Sequence, residues 1–423
     1  MKYKKTTLAV FFLILLIIGF GWFFVFSPKA TIYLVSQNPS PFQPPQEHEK
    51  ESPKNQISET EPQKPLSDPP KIIKAIYLTS WSATSENRIN YLIELKKTTG
   101  VNAAVIDIKD FSGYIAYDIK IPEAEKYKTK EIRIKDINGL IKKLHNEGIY
   151  LIARITVFQD PILARARPDL AVKKIDPSSS STLPVWLDRK GLAWIDPASK
   201  EAQDYNISIA KDAASRGFDE INFDYIRFPS DGDLSAMHFP FWDEKIPKSK
   251  IIKGFFENLR QKLPDNKLSA DIFGLVTTNR DGLGIGQILE DVYRYFDYVC
   301  PMVYPSHYYK GTLGFENPAE HPYEVIKYSI DEALKRLIAL NRLNTATSTD
   351  NASSSAADSN SGHPDARINA KLRPWLQDFD LGAQYDATMV KAEIKAVFDA
   401  LGDNFSGFMM WNPSNVYTKE ALL

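Results

Sequence analysis

The chain has 423 residues, a formal net charge of -1 and a single cysteine. Near-neutral charge gives no global attraction to polyanions, so no nucleic-acid partner is expected. Cys300 alone excludes an intrachain disulfide and a cysteine-built zinc site, and the six histidines show no H-E-x-x-H spacing, so neither metal nor cofactor is expected.

Lys2, Lys4 and Lys5 precede an uncharged apolar run, "TTLAVFFLILLIIGFGWFFVF", from Thr6 to Phe26. At about 1.5 Å per residue it matches a hydrocarbon core of about 30 Å. The lysines predict a cytoplasmic amino terminus and an extracytoplasmic remainder. A cleaved signal peptide is the competing reading, but "FVFSPKA" is a poor small-x-small site. Residues 1–28 therefore read as a membrane anchor. Residues 29–71, rich in Pro, Gln, Glu, Ser and Lys, read as a disordered linker. The folded domain is expected over 72–423, interrupted by a low-complexity loop at 344–366 and a smaller Ser-rich stretch, "DPSSSSTLP", after residue 175.

From Lys71 onward, short apolar strands alternate with amphipathic segments. Strands are predicted at 74–81, 103–110, 150–158, 220–228, 267–275, 298–305, 368–379 and 407–413. Between them, "SENRINYLIELKKTTG" and "IKDINGLIKKLHNEG" are helices ending at glycine. A third helix, "IDPASKEAQDYNISIAKDAASRG", has Asp196 as its expected N-cap. Eight such units predict an α/β fold of the (β/α)8 TIM-barrel type. A doubly wound sheet would carry a Gly-rich phosphate loop after its first strand, and "LTSWSATSE" is not one. In a barrel, functional groups gather at the carboxyl ends of the strands. Each predicted strand here ends in polar or aromatic residues, which predicts one cleft floored with carboxylates and rimmed with aromatics.

The stretches "VNAAVIDIKDFSGYIAYD", "YLIARITVFQDPILA", "GFDEINFDYIRFPSDG", "CPMVYPSHY", "RPWLQDF" and "GFMMWNPSN" carry a resemblance. From about Lys74 to the end the chain resembles a bacterial barrel family known as the putative glycoside hydrolase domain. The resemblance implies cleavage of sugar bonds. Strand four is also similar to the chitinase pattern D-G-x-D-x-D-x-E, with Asp219, Asn222 and Asp224 on its three Asp positions. The chitinase acid falls on Ile226, which cannot donate a proton. Amylase-like barrels place a nucleophilic Asp at the end of strand four and an acid at the end of strand five, where Asp224 and Asp271 stand.

Glycoside hydrolysis commonly uses two carboxyl groups, one ionised and one protonated. Asp224 is the expected nucleophile and Asp271 the expected acid/base, with Asn222 or Arg227 holding Asp224 ionised and burial keeping Asp271 protonated. Asp107 and Lys109 share a face and are expected to pair beneath the cleft. Asp110 is a replacement acid. Arg154 points into the barrel and is expected to meet a carboxylate. Trp411, Trp375 and Tyr304 are expected to stack on sugar rings, with core filling the alternative for Trp375, and Tyr114, His307 and Gln377 are expected ligand contacts. The expected function is hydrolysis of a cell-envelope or extracellular polysaccharide by a membrane-anchored enzyme. The alternative is a non-catalytic carbohydrate-binding protein on the same scaffold. A metal-dependent deacetylase is disfavoured for want of a His/Asp ligand set.

Overall fold

Eight parallel strands close on themselves in the computed structural model, which describes residues 60–175, 183–351 and 368–423. They are β1 (Ile73–Leu78), β2 (Ala103–Lys109), β3 (Tyr150–Thr156), β4 (Glu220–Asp224), β5 (Leu268–Phe273), β6 (Tyr298–Met302), β7 (Trp375–Gln377) and β8 (Gly407–Trp411). Each pairs in parallel with the next, and β1 pairs with β8 to complete the circle. At this seam a Cβ on Gly407 would stand 1.8 Å from the Ile73 carbonyl oxygen, so only glycine lets the two strands meet. The predicted apolar run at Thr6–Phe26 lies outside the described residues. Among those described, no helix is long and apolar enough to cross a membrane.

Apolar residues predominate in the strands because both faces are covered, and the charged and amide side chains that interrupt β2 to β5 are the ones that meet in the lumen or pair within the core. Outside, α1 (Glu86–Thr98) buries Ile89, Leu92 and Leu95 against the sheet. Next come α2 (Ile137–Asn146), capped by the Asp136 side chain, and α3 (Lys200–Ser215). The N-cap of α3 is Ser199, whose hydroxyl accepts from Ala202 N; Asp196 instead accepts from Ala198, Phe241 and Trp242 amides and ties two loops together. The helices α4 (Lys248–Lys262), α5 (Leu289–Tyr295), α6 (Pro322–Asn351) and α7 (Ala387–Leu401) complete the shell. Helix α6 runs on through residues 344–351, where composition predicts a loop; 352–367 and the Ser-rich 176–182 lie outside the described residues.

Apolar residues form two compartments. One large cluster fills the layer between strands and helices. A second lies in the lumen and joins Ala75, Val105, Ile152, Cys300, Trp375 and Met409. Cys300 is buried there as a small apolar group. Residues 60–71, which the composition assigns to the linker, pack on the amino-terminal end of the barrel. Leu66 N donates to Asp219 Oδ1 at 2.6 Å, and the Leu66 side chain rests on the lumen cluster. The lumen floor also holds an ion pair between Glu220 and Arg373, both fully buried, with Tyr150 donating to Glu220 at 3.2 Å. That end is closed, and the opposite end carries the site.

Candidate active site

Strand register decides which side chains meet. Asp107 on β2 lies beside Arg154 on β3, Arg154 beside Asn222 on β4, and Asn222 beside Ser269 on β5. Alternation along each strand turns Arg154, Asn222, Asp224 and Asp271 into the lumen. Arg154 becomes the hub. Its Nη1 donates to Asp107 Oδ1 at 2.6 Å, its Nη2 to Asp224, and its Nε stands 3.5 Å from Asp271 Oδ2. Two such contacts on one planar guanidinium put the Asp224 and Asp271 carboxylates within about 8 Å of each other.

The two acids differ in surroundings. Asp224 lines a cleft of about 560 Å³ with Tyr225, Arg227, Phe273, Tyr304 and His307. Its Oδ1 accepts from the Tyr225 amide at 2.5 Å, and Tyr225 turns the chain there with φ 54°. Asp271 lies deeper, 1 % exposed. Its Oδ1 accepts from Asn222 at 2.9 Å and from the Trp375 indole at 2.7 Å, while Oδ2 has no hydrogen-bond donor. Burial, then the Asp224 charge, push its pKa up to about 7 against the pull of Arg154. Burial also raises Asp107, although Arg154 and the Tyr77 hydroxyl, which donates at 2.5 Å, favour its charged form.

Aromatic rings stand over this floor. Tyr304 and Trp411 have centroids 5.8 Å apart, and Phe379 meets Trp411 edge-on at 4.8 Å. Tyr304 also meets the His307 ring at 5.4 Å, and burial lowers the His307 pKa. Trp375 is buried in the lumen, where it fills core and donates to Asp271.

Several expected partnerships are corrected. Lys109 does not pair with Asp107: a register irregularity between them turns it to Asp160, 2.9 Å away, and to the Thr156 carbonyl. Asp224 is partnered by Arg154, while Asn222 serves Asp271 and Arg227 packs among Trp194, Tyr225 and Phe273. Asp110 is bound by Ser112 and Arg133, away from the lumen. Tyr114 lines a separate surface hollow with Tyr127 and Arg167. Gln377 is fully buried, accepting from the Ser306 hydroxyl at 2.8 Å and donating to the Phe379 carbonyl at 2.9 Å, so it braces two loops. Tyr77, Phe273 and Phe379 went unpredicted. Tyr77 shares the inward alternation of Ile73 and Ala75, the one signal that points to it.

Among the described residues, no group of three or more His, Cys, Asp or Glu is arranged to hold a metal ion. Where Asp107, Asp224 and Asp271 converge, the cation is the Arg154 guanidinium.

A closed parallel barrel with paired acids at its open end is the architecture of a glycoside hydrolase-like domain. Residues 75–417 match the model of the family described as "Putative glycosyl hydrolase domain", and the chain belongs to that family. Among solved structures, the glycoside hydrolase domain of PgaB (BpsB) from Bordetella bronchiseptica shares the fold with a TM-score of 0.53 and 12% identity, over 83% of this chain and 99% of that one. A hypothetical protein from Ruminiclostridium thermocellum ATCC 27405 is 38% identical over 46% of this chain and 96% of its own, with a TM-score of 0.41. The glycoside hydrolase domain of PelA from Pseudomonas aeruginosa is 10% identical over 82% of this chain and 97% of that one, with a TM-score of 0.40. No curated protein matches the sequence.

Proposed function

We propose that the protein is a glycoside hydrolase acting on a cell-envelope or extracellular polysaccharide, with Asp224 as nucleophile and Asp271 as acid/base. One observation carries this reading. Two carboxyl groups share the Arg154 guanidinium; one opens onto the cleft, and the pKa of the other is pushed up to about 7. In the proposed reaction Asp271 gives its proton to the leaving oxygen as Asp224 bonds to the anomeric carbon. Water then attacks the glycosyl-enzyme, Asp271 takes a proton from it, and Asp224 is released. Adjacent parallel strands lie about 4.8 Å apart, which supports the shorter carboxylate separation of about 5 to 5.5 Å and hence retention of configuration.

The same cleft supports a second reading, a carbohydrate-binding protein without turnover. It is favoured by the burial of Asp271, which is 1 % exposed and is not among the residues lining the cleft. Proton NMR of the first product formed separates the possibilities. Retained configuration supports the double displacement, an inverted product removes the nucleophile role from Asp224, and binding without any product supports the second reading.

We also propose that the apolar run at 6–26 anchors the domain on the outer side of a membrane. The support is its length and its preceding lysines. Resistance to alkaline carbonate extraction is expected; release into the soluble fraction would contradict it.

A further inference from the structure

Five buried or nearly buried arginines, Arg133, Arg154, Arg216, Arg336 and Arg373, each meet a carboxylate. Arg227 differs. It is 7 % exposed and its Nη1 donates to the Phe228 carbonyl at 3.0 Å. The rest of its surroundings is aromatic: Phe273, Trp194 and Tyr225 have ring centroids 4.5, 4.8 and 5.2 Å from its Cζ. No carboxylate forms an ion pair with it among the described residues. Ring faces offset only part of what a buried cation loses on leaving water.

This guanidinium lines the cleft that Asp224 opens onto, and Lys190 lines it too. The cleft has two carboxylates of its own. Asp224 is already matched by Arg154, and Asp231 is half-buried and makes no ion pair with Arg227. A planar fork of donors left without an anion, beside flat aromatic faces, suits a sugar ring that bears a carboxylate.

We propose that the cleft takes an acidic glycan, with Arg227 pairing with the carboxylate of a uronic acid unit next to the one held at Asp224. This rests on the sugar-cleft reading of the preceding section and adds the substrate class. Arg227 is then a specificity residue, and its charge gains its partner only when the glycan binds.

The test measures binding to the full-length protein. Uronate tetrasaccharides of gluco, galacto and manno configuration are compared, each against its own counterpart with carboxyl groups reduced to alcohols. At least one acid is expected to bind about tenfold or more tightly than its neutral counterpart. Arg227→Gln should bring that ratio close to one. The proposal is overturned if no acid is preferred, or if Arg227→Gln keeps the preference. The wild-type ratio decides alone should the variant fail to fold. Because binding is read without turnover, an inactive protein that prefers the acid contradicts hydrolysis and leaves this inference standing. An active enzyme with no such preference does the reverse.

Discussion

The indole Nε1 of Trp375 donates to Oδ1 of Asp271 at 2.7 Å, linking β7 to β5 across the lumen. A hydrogen bond to the ionised form lowers a carboxyl pKa. Trp375→Phe removes that bond, so Asp271 should rise above about 7. If Asp271 donates the proton, the basic limb of the pH profile of kcat/KM moves to higher pH in this variant. An unmoved limb would detach Asp271 from the chemistry.

Asp271 also couples stability to pH. Its folded pKa of about 7 lies above the ordinary aspartate value of about 4, so the native state binds more protons than the unfolded chain between those limits. Stability is therefore fully present at low pH and is lost as pH rises from about 4 through about 7. Asp271→Asn should remove this loss and leave the variant about 2 to 4 kcal/mol more stable than wild type at pH 8, relative to their difference at pH 4. Urea titrations at the two pH values check it.

Much of the architecture could be read from the sequence because parallel strands buried on both faces leave dense apolar runs, and seven of the eight predicted runs contain their strand whole, β1 starting one residue before its run at Ile73. Their carboxyl ends were placed too late: residues 225–228 form the loop at the cleft, after β4 has ended at Asp224. Alternation alone aimed Arg154, Asn222 and Asp224 inward. The pairings could not be read this way, since they depend on register between strands far apart in the chain. Asp107 and Lys109 sit two residues apart, yet one serves the lumen and the other is drawn to Asp160. Nothing local marks the hydrogen bond of Tyr77, which joins its hydroxyl to a carboxylate 30 residues away.

Arg154 meets three carboxylates, so its loss leaves several buried charges without a cation. Arg154→Met should cost about 3 to 5 kcal/mol in denaturant unfolding and abolish activity. Arg154→Lys should not restore activity, because a single ammonium cannot span the three positions held by the planar fork.

Lys109 and Asp160 are both fully buried and touch each other away from the lumen. Lys109→Met should destabilise by about 3 to 5 kcal/mol, since it strands the Asp160 charge. Below its lowered melting temperature, affinity for oligosaccharide should match wild type. A selective loss of affinity would instead make Lys109 a ligand contact.

The most direct measurement is release of reducing ends from a polysaccharide panel by the full-length protein and its Asp224→Asn variant, with binding recorded in parallel. Turnover of at least one polysaccharide by wild type is predicted, with a loss of about a thousandfold or more in Asp224→Asn and binding retained. Equal turnover by both proteins, or binding by both with no turnover, would contradict catalysis by Asp224.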